Sequence, residues 1–314
     1  MCIAYTIRHI LRILFMGMGV IFLSLTPAFA QEQGTLFSDI KVGYPHYVAI
    51  KFLKERNVLS GYPDGSFRPK QFVSRAEALK ILFTTLDKAE IKTSMPTISF
   101  PDLQKEDWYY EFAYKALQKE IIQGYPDGFF YPGRPINRAE SLKIVLLEEN
   151  DMIIPEKVMT APYSDVSTES WFAPYAKISK QRGLFMETRD NGGQLLPNES
   201  VTRGEFAELI YHLLKSSNQS KFTRATFYSD FLAGRGTSSG EIYQHGVFTT
   251  AHRRLPFGTK ILVTNLLNGE NVEVKVNDRG PYAIGIDLDL SKSAFAKIAK
   301  PSSGIIPVEY KIIP

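Results

Sequence analysis

Between residues 37 and 215 apolar side chains recur every three or four positions, and from 222 onward they alternate with polar ones. The first pattern predicts helices over Tyr47 to Leu59 and Trp108 to Ile122. A second set of helices is announced by Ser74-x-x-Glu77, Asn137-x-x-Glu140 and Thr202-x-x-Glu205. Each is a capping box or close to one, in which a short polar side chain and a glutamate satisfy each other's amides. The stripes Ala78, Leu79, Ile81, Leu82 and Leu142, Val145, Leu146 follow. Gly61-Tyr62-Pro63-Asp64-Gly65 and Gly124-Tyr125-Pro126-Asp127-Gly128 separate the two helix sets in the first two units and read as turns. The alternating pattern predicts strands over Lys260 to Asn265 and Asn271 to Val276, joined at Asn268-Gly269, where both residues tolerate the positive φ of a hairpin. Thr223 to Tyr228 and Val308 to Ile312 also read as strands, and Leu290 to Lys300 as one short helix capped at Ser291. The expected fold is multidomain: all-α helix-loop-helix repeats, then a small closed barrel.

The helical part repeats. Phe37-Ser38-Asp39, Phe100-Pro101-Asp102 and Tyr163-Ser164-Asp165 open three units whose aspartates lie 63 residues apart. Arg75-Ala76-Glu77, Arg138-Ala139-Glu140 and Arg203-Gly204-Glu205 fall late in each unit. A fixed period of this kind indicates one supersecondary unit stacked on its copies. The resulting division is a leader over 1–30, repeats over 37–90, 98–150 and 161–215, a polar linker over 216–221 and the barrel over 222–314.

The leader reads as a signal peptide: Arg8, His9 and Arg12, then an apolar run from Ile13 to Leu25, then Ala28-Phe29-Ala30 with cleavage before Gln31. Cys2, the single cysteine, precedes that run and would leave with it, so neither a disulfide nor a cysteine-based metal site is expected. An exported, envelope-located protein without a stable membrane span or lipid anchor follows. The formal charge is only +4, two of those cations lie in the leader, and no basic run stands out. Nucleic acid is therefore a poor partner.

Residues 37 to 215 resemble S-layer homology (SLH) modules. Repeats one and two carry the Gly-Tyr-Pro-Asp-Gly and Arg-Ala-Glu signatures, whereas Glu187 to Gly193 replaces the turn in repeat three and Pro45 stands where Trp108 and Trp171 stand in the others. The resemblance implies a pseudo-threefold helical prism whose grooves bind secondary cell-wall polysaccharide. It implies ligand roles for Arg75, Arg138 and Arg203, with Trp108 and Trp171 as neighbours. The residues themselves leave alternatives open: the glutamates serve as caps, and an indole serves a core as well as a sugar platform.

Ala225-Thr226-Phe227-Tyr228, Gly240-Glu241, Thr250 to Thr259, Val276-Asn277-Asp278-Arg279-Gly280-Pro281 and Asp289-Leu290-Ser291 follow in order beyond the linker. This set resembles the double-psi β-barrel of the rare lipoprotein A family of endolytic peptidoglycan transglycosylases. The resemblance implies a site of Asp278, Glu241 and His252 acting on peptidoglycan glycan strands. Asp278 would be acid and then base, Glu241 the second carboxylate, and His252 an orienting group. Tyr228, Arg279 and Asp289 are the expected substrate-binding residues. No metal or cofactor is implied.

Such chemistry needs an acid for the leaving oxygen and negative charge near the oxocarbenium-like centre. Read without the family, Asp278 caps a turn, Glu241 is a loop residue, His252 a satisfied partner beneath a turn and Asp289 part of the barrel frame. Three functions follow: a wall-anchored lytic transglycosylase, a non-catalytic expansin-like wall-loosening protein, or a wall-adhesion protein with a passenger barrel.

Overall fold

The computed structural model describes residues 36–86, 100–148, 153–185, 193–216, 220–283 and 285–314. The leader, with its cleavage site, lies outside them, as do residues 187–192 of the replaced turn and residues 217–219 of the linker. Among the described residues no helix is long and apolar enough to cross a membrane.

Among the described residues the repeats form six helices: α1 (Tyr47–Lys54), α2 (Arg75–Leu86), α3 (Tyr110–Gln118), α4 (Arg138–Glu148), α5 (Ala173–Arg182) and α6 (Arg203–Ser216). Packing joins neighbouring repeats: α2 lies on α3, α4 on α5, and α6 returns to α1. One apolar core runs through all three repeats, with Leu53, Leu79, Leu82, Leu142, Val145 and Leu209 fully buried. The capping boxes form in all three. Ser74 N–H donates to Glu77 (2.9 Å), Asn137 N–H to Glu140 (3.0 Å) and Thr202 N–H to Glu205 (2.8 Å). The return bonds reach 3.3, 2.8 and 3.3 Å.

The repeated aspartates have a structural task that their spacing alone does not disclose. Asp39 accepts from Phe67 N–H (2.8 Å) and Arg68 N–H (2.7 Å). Asp102 accepts from Phe130 and Tyr131 (2.9 and 2.7 Å), and Asp165 from Leu195 and Leu196 (2.8 and 2.7 Å). In each pair the second residue has positive φ: Arg68 58°, Tyr131 56°, Leu196 54°. That conformation is unfavourable for residues with a Cβ. The carboxylate holds it by taking two adjacent amides at once.

The repeats also close on one another through the backbone. Val73 N–H donates to Val201 (2.9 Å), Val201 to Ile136 (2.9 Å) and Ile136 to Val73 (3.2 Å).

The C-terminal part is a closed barrel of β1 (Lys221–Phe227), β2 (Thr249–Ala251), β3 (Lys260–Asn265), β4 (Asn271–Asp278), β5 (Leu288–Leu290) and β6 (Ile306–Ile313). Its order is β1-β5-β2-β4-β3-β6. The β1/β5 and β2/β4 pairs are parallel and the others antiparallel. This fits the expected double-psi barrel. Strand β3 has the bounds that its alternation predicts, and the Asn268-Gly269 turn joins it to β4 with Gly269 at φ 82°. Helix α7 (Lys292–Ile298) starts at Ser291, whose side chain accepts from Ala294 N–H.

A seam joins the two parts. Ala49, Tyr211, Phe222 and Leu266 form one apolar cluster across it. Beside them buried Glu309 accepts from Tyr211 Oη and from Ser220 Oγ (2.7 Å), with Lys215 Nζ at 3.3 Å.

Replacing Asp102 by Ala removes the shared acceptor of two amides at a left-handed turn. A loss of about 1–3 kcal/mol is expected in urea unfolding, the scale of a partly buried donor left unmade. An unchanged midpoint would contradict the clamp.

Candidate functional site

Asp278 ends β4, and the loop before β2 folds back onto its carboxylate. Oδ1 accepts from Ser238 N–H (2.8 Å), Ser238 Oγ (2.6 Å) and Arg279 N–H (2.8 Å). Oδ2 accepts from Tyr228 Oη (2.8 Å). Burial pushes this carboxyl up, but the bonds from Ser238, Tyr228 and Arg279 outweigh it and hold it below its ordinary value. Tyr228 is itself pushed up by burial and by donating to Asp278. Its ring packs against Tyr243, with centroids 4.6 Å apart.

Glu241 stands at the exposed end of the same loop. Lys275 Nζ lies 2.6 Å from Oε1 and Asn277 Nδ2 donates to Oε2 (2.9 Å). These two bonds, that to Lys275 first, lower its pKa. The side chain thus grips the residue before Asp278 and is ionised.

His252 shares its strand end with Asp278 through the backbone, His252 N–H donating to the Asp278 carbonyl (3.1 Å). Its ring turns elsewhere. Nδ1 accepts from Arg254 and Leu255 N–H (3.0 and 2.9 Å), and Nε2 meets Tyr310 Oη at 3.1 Å. A nitrogen that accepts two amides carries no proton, so the ring is neutral. Burial first, then the charges of Arg279, Arg253 and Arg254, keep its pKa low against the pull of Asp287. Arg279 points the same way: its Nη1 donates to the carbonyls of His252 (3.1 Å) and Leu255 (2.8 Å), and its guanidinium lies 3.7 Å from the Phe257 ring centroid.

Asp289 sits mid-β5 between Leu288 and Leu290, which belong to the barrel core, so its side chain faces the opposite way. Burial and the charge of Asp278 raise its pKa to about 6. The structure therefore brings Asp278, Tyr228 and Asp289 together, sets Glu241 behind Asp278, and turns His252 and Arg279 onto the loop from Arg253 to Phe257.

In the repeats the three arginines are buried, at 5, 4 and 8 % exposure for Arg75, Arg138 and Arg203. Each reaches across to another repeat: Arg75 to Gln123 O (2.6 Å), Arg138 to Leu195 O (3.0 Å) and Glu205 (2.9 Å), Arg203 to Phe67 O (3.0 Å) and Glu77 (3.3 Å). Arg203 and Arg75 line two of the grooves from below, and none of the three projects into solvent. Trp108 and Trp171 are open, 55 and 56 % exposed.

Sequence reasoning passed over a lysine at the mouths of two grooves. Lys80 lies 5.4 Å from the Trp108 ring centroid and Lys143 6.0 Å from that of Trp171. Their signal was positional, since both fall five residues after the repeated arginine. The first groove, about 210 Å³, joins Glu77, Lys80, Trp108 and Arg203. The second, about 190 Å³, joins Glu140, Lys143, Trp171 and Arg75.

The third differs. Glu208 takes the lysine's place, His46 Nδ1 lies 2.6 Å from it, and barrel residues Arg224, Leu267 and Ile306 help to line the space. Gly204 belongs to this change. A Cβ there, as Ala76 and Ala139 carry, would lie 2.4 Å from His46 Cδ2.

Family comparison agrees with both halves. Residues 221–310 match the family described as lytic transglycolase, and residues 36–79, 99–140 and 162–207 match the S-layer homology domain. The chain thus belongs to the lytic transglycolase family through its barrel and carries three S-layer homology domains ahead of it. Both families indicate the cell envelope. It is 45% identical over 84 residues to the probable endolytic peptidoglycan transglycosylase RlpA of Treponema pallidum, covering 27% of this chain and 26% of that one. It is 44% identical over 122 residues to the protein of that name in Nostoc sp., covering 38% and 33%. The chain so spans no more than a third of the length of either relative. Among solved structures, the apo form of an expansin from Clavibacter michiganensis is similar at 27% identity and a TM-score of 0.25, covering 30% of this chain and 50% of that one.

Tyr228→Phe removes the one donor on Asp278 Oδ2 among the described residues. The Asp278 titration midpoint, followed by carboxyl ¹³C NMR, should move up toward the ordinary aspartate value. A midpoint that stays put would mean that the phenol does not hold the charge.

Proposed function

We propose that this protein is a wall-held lytic transglycosylase that cuts the MurNAc–GlcNAc bond of peptidoglycan and leaves 1,6-anhydro-MurNAc ends. The observation that carries this reading is the half-buried Asp278 carboxylate, fixed by four donors beside a second, protonatable carboxyl. A fixed anion stabilises the oxocarbenium-like centre, because its dipolar surroundings need no rearrangement as charge develops. The sugar's own C6 hydroxyl attacks C1, so no water enters the products. Glu241 and His252 act as positioning residues: one holds Asn277 beside Asp278, and the other shapes the loop that Arg279 grips. The family relatives named endolytic transglycosylases support this reading over the barrel.

The repeats supply the anchor. We read them as a pseudo-threefold prism in which two of three grooves take an anionic wall polysaccharide. Lys80 with Trp108, and Lys143 with Trp171, form the contacts at their mouths. The buried arginines hold the groove floors. The third groove has lost its lysine and its tryptophan and gives its side of the fold to the barrel.

Incubation with peptide-free glycan strands should release fragments short of one water by mass spectrometry, and Asp278→Asn should slow release about 10²–10⁴-fold. Reducing-end products would mean hydrolysis. No products with glycan binding intact would favour the wall-loosening reading.

Lys80→Ala with Lys143→Ala should weaken sedimentation with purified wall about tenfold or more, the scale of lost charge-assisted bonds, while helical content stays unchanged. Undiminished binding would remove both grooves from the anchor.

A further inference from the structure

The hydrogen-bond inventory around Asp278 leaves little room for a transferable proton. Oδ1 already takes three donors, two of them backbone amides that can only donate, and Oδ2 takes the Tyr228 phenol. A proton on either oxygen would displace one of these bonds. Cleavage nonetheless needs an acid, since the sugar oxygen that leaves must gain a proton.

The register of the sheet points to the partner. Ala251 of β2 pairs with Asp278 of β4 on one side and with Asp289 of β5 on the other. Thr226 of β1 continues the row beyond Asp289. Residues opposite one another on neighbouring strands share a face, so the two carboxyls flank a single methyl group. Two strand spacings put their Cα atoms roughly 10 Å apart. Ala251 lies buried with Tyr228 and Tyr243, and Asp278 and Asp289 are each half-buried beside it. Asp289 Oδ1 is buried without a hydrogen-bond partner among the described residues, in contrast with the crowded Asp278.

We propose that Asp289 is the catalytic acid and base of the transglycosylase reaction, with Asp278 as the fixed anion beside it. The assignment rests on the lytic reading above. In the first half of the step the C1–O4 bond breaks, its electron pair stays on the leaving oxygen, and that oxygen takes the Asp289 proton. In the second half the C6 oxygen bonds to C1, and its proton passes to the Asp289 carboxylate. The acid is restored, no water is consumed, and no oxidant or reductant is needed.

The surroundings suit this division. Burial and the Asp278 charge both favour the protonated form of Asp289. The other titratable groups that face it are Tyr228 from the end of β1 and Tyr243 from the covering loop. Nearby Lys292 of α7 is drawn off to Asp230 (2.6 Å), which His245 also approaches at 3.5 Å.

The sign follows. The acid works while protonated, so the rate should fall as pH rises through about 6. In the full chain, Asp289→Asn should slow release of anhydro fragments about 10²–10⁴-fold, with fold checked by circular dichroism. Asp289→Glu should restore part of the rate and keep the descending limb. Carboxyl ¹³C NMR should show Asp289 titrating near 6 in the wild type and lower in Asp278→Asn, where the neighbouring charge is gone. An Asp289→Asn protein as fast as the wild type, or an Asp289 carboxyl titrating at its ordinary value, would overturn this assignment alone. Wild-type protein that releases nothing at any pH would overturn the lytic reading and this assignment with it.

Discussion

The structure of the repeats depends on three backbone bonds that no single repeat can make. Val73, Ile136 and Val201 pass a hydrogen bond around a ring, each repeat giving an amide to one neighbour and a carbonyl to the other. The helix starts follow the same rule. Arg75 N–H is satisfied by Arg134 of repeat two, Arg138 N–H by Glu199 of repeat three and Arg203 N–H by Gln71 of repeat one. Buried amides must find acceptors, so each second helix is capped partly by another repeat. The arginine side chains repeat that logic with charge, reaching into a neighbouring repeat's loop. Repeat three departs from the turn signature and still supplies Val201 to the ring.

The ring also explains how one groove could be spent differently from the other two. Its backbone needs only amides and carbonyls, which any side chain leaves in place. Lysine and tryptophan at the groove mouths are therefore free to change without loosening the closure. Where Glu208 and Pro45 replace them, His46 closes over the glutamate and the neighbouring position becomes glycine to admit its ring. The barrel then settles alongside, with Leu267 accepting a bond from Gly43 N–H (2.8 Å) and Leu266 entering the seam cluster.

Much of this was legible in the sequence, and the failures have physical reasons. The capping boxes were readable because both partners lie three residues apart on one chain. The hairpin was readable because Asn268-Gly269 states its turn locally. Strands β2 and β5 were not, since three residues carry no alternation to detect. The repeated aspartates were noticed for their spacing, but their task joins positions 28 to 31 residues apart. The arginines stood out as unexplained by helix capping, and their partners lie in other repeats. In the barrel, Asp278 and Asp289 were both visible as motif residues. Only the strand order, with β2 lying between β4 and β5, makes them neighbours.

Glu309 has a consequence beyond holding two domains together. With Tyr211, Ser220 and Lys215 converging on it and an apolar cluster beside it, the junction has the character of a core and not of a hinge. An enzyme on a flexible lead would sweep a volume set by the length of the lead, and its local concentration of target would fall as that volume grows. On the reading proposed above, Asp278 and Asp289 would be carried at one height and one bearing from the anchored surface. The strands within reach would then lie in a thin shell around each attachment point, so the spacing of wall polymers would set which bonds are cut.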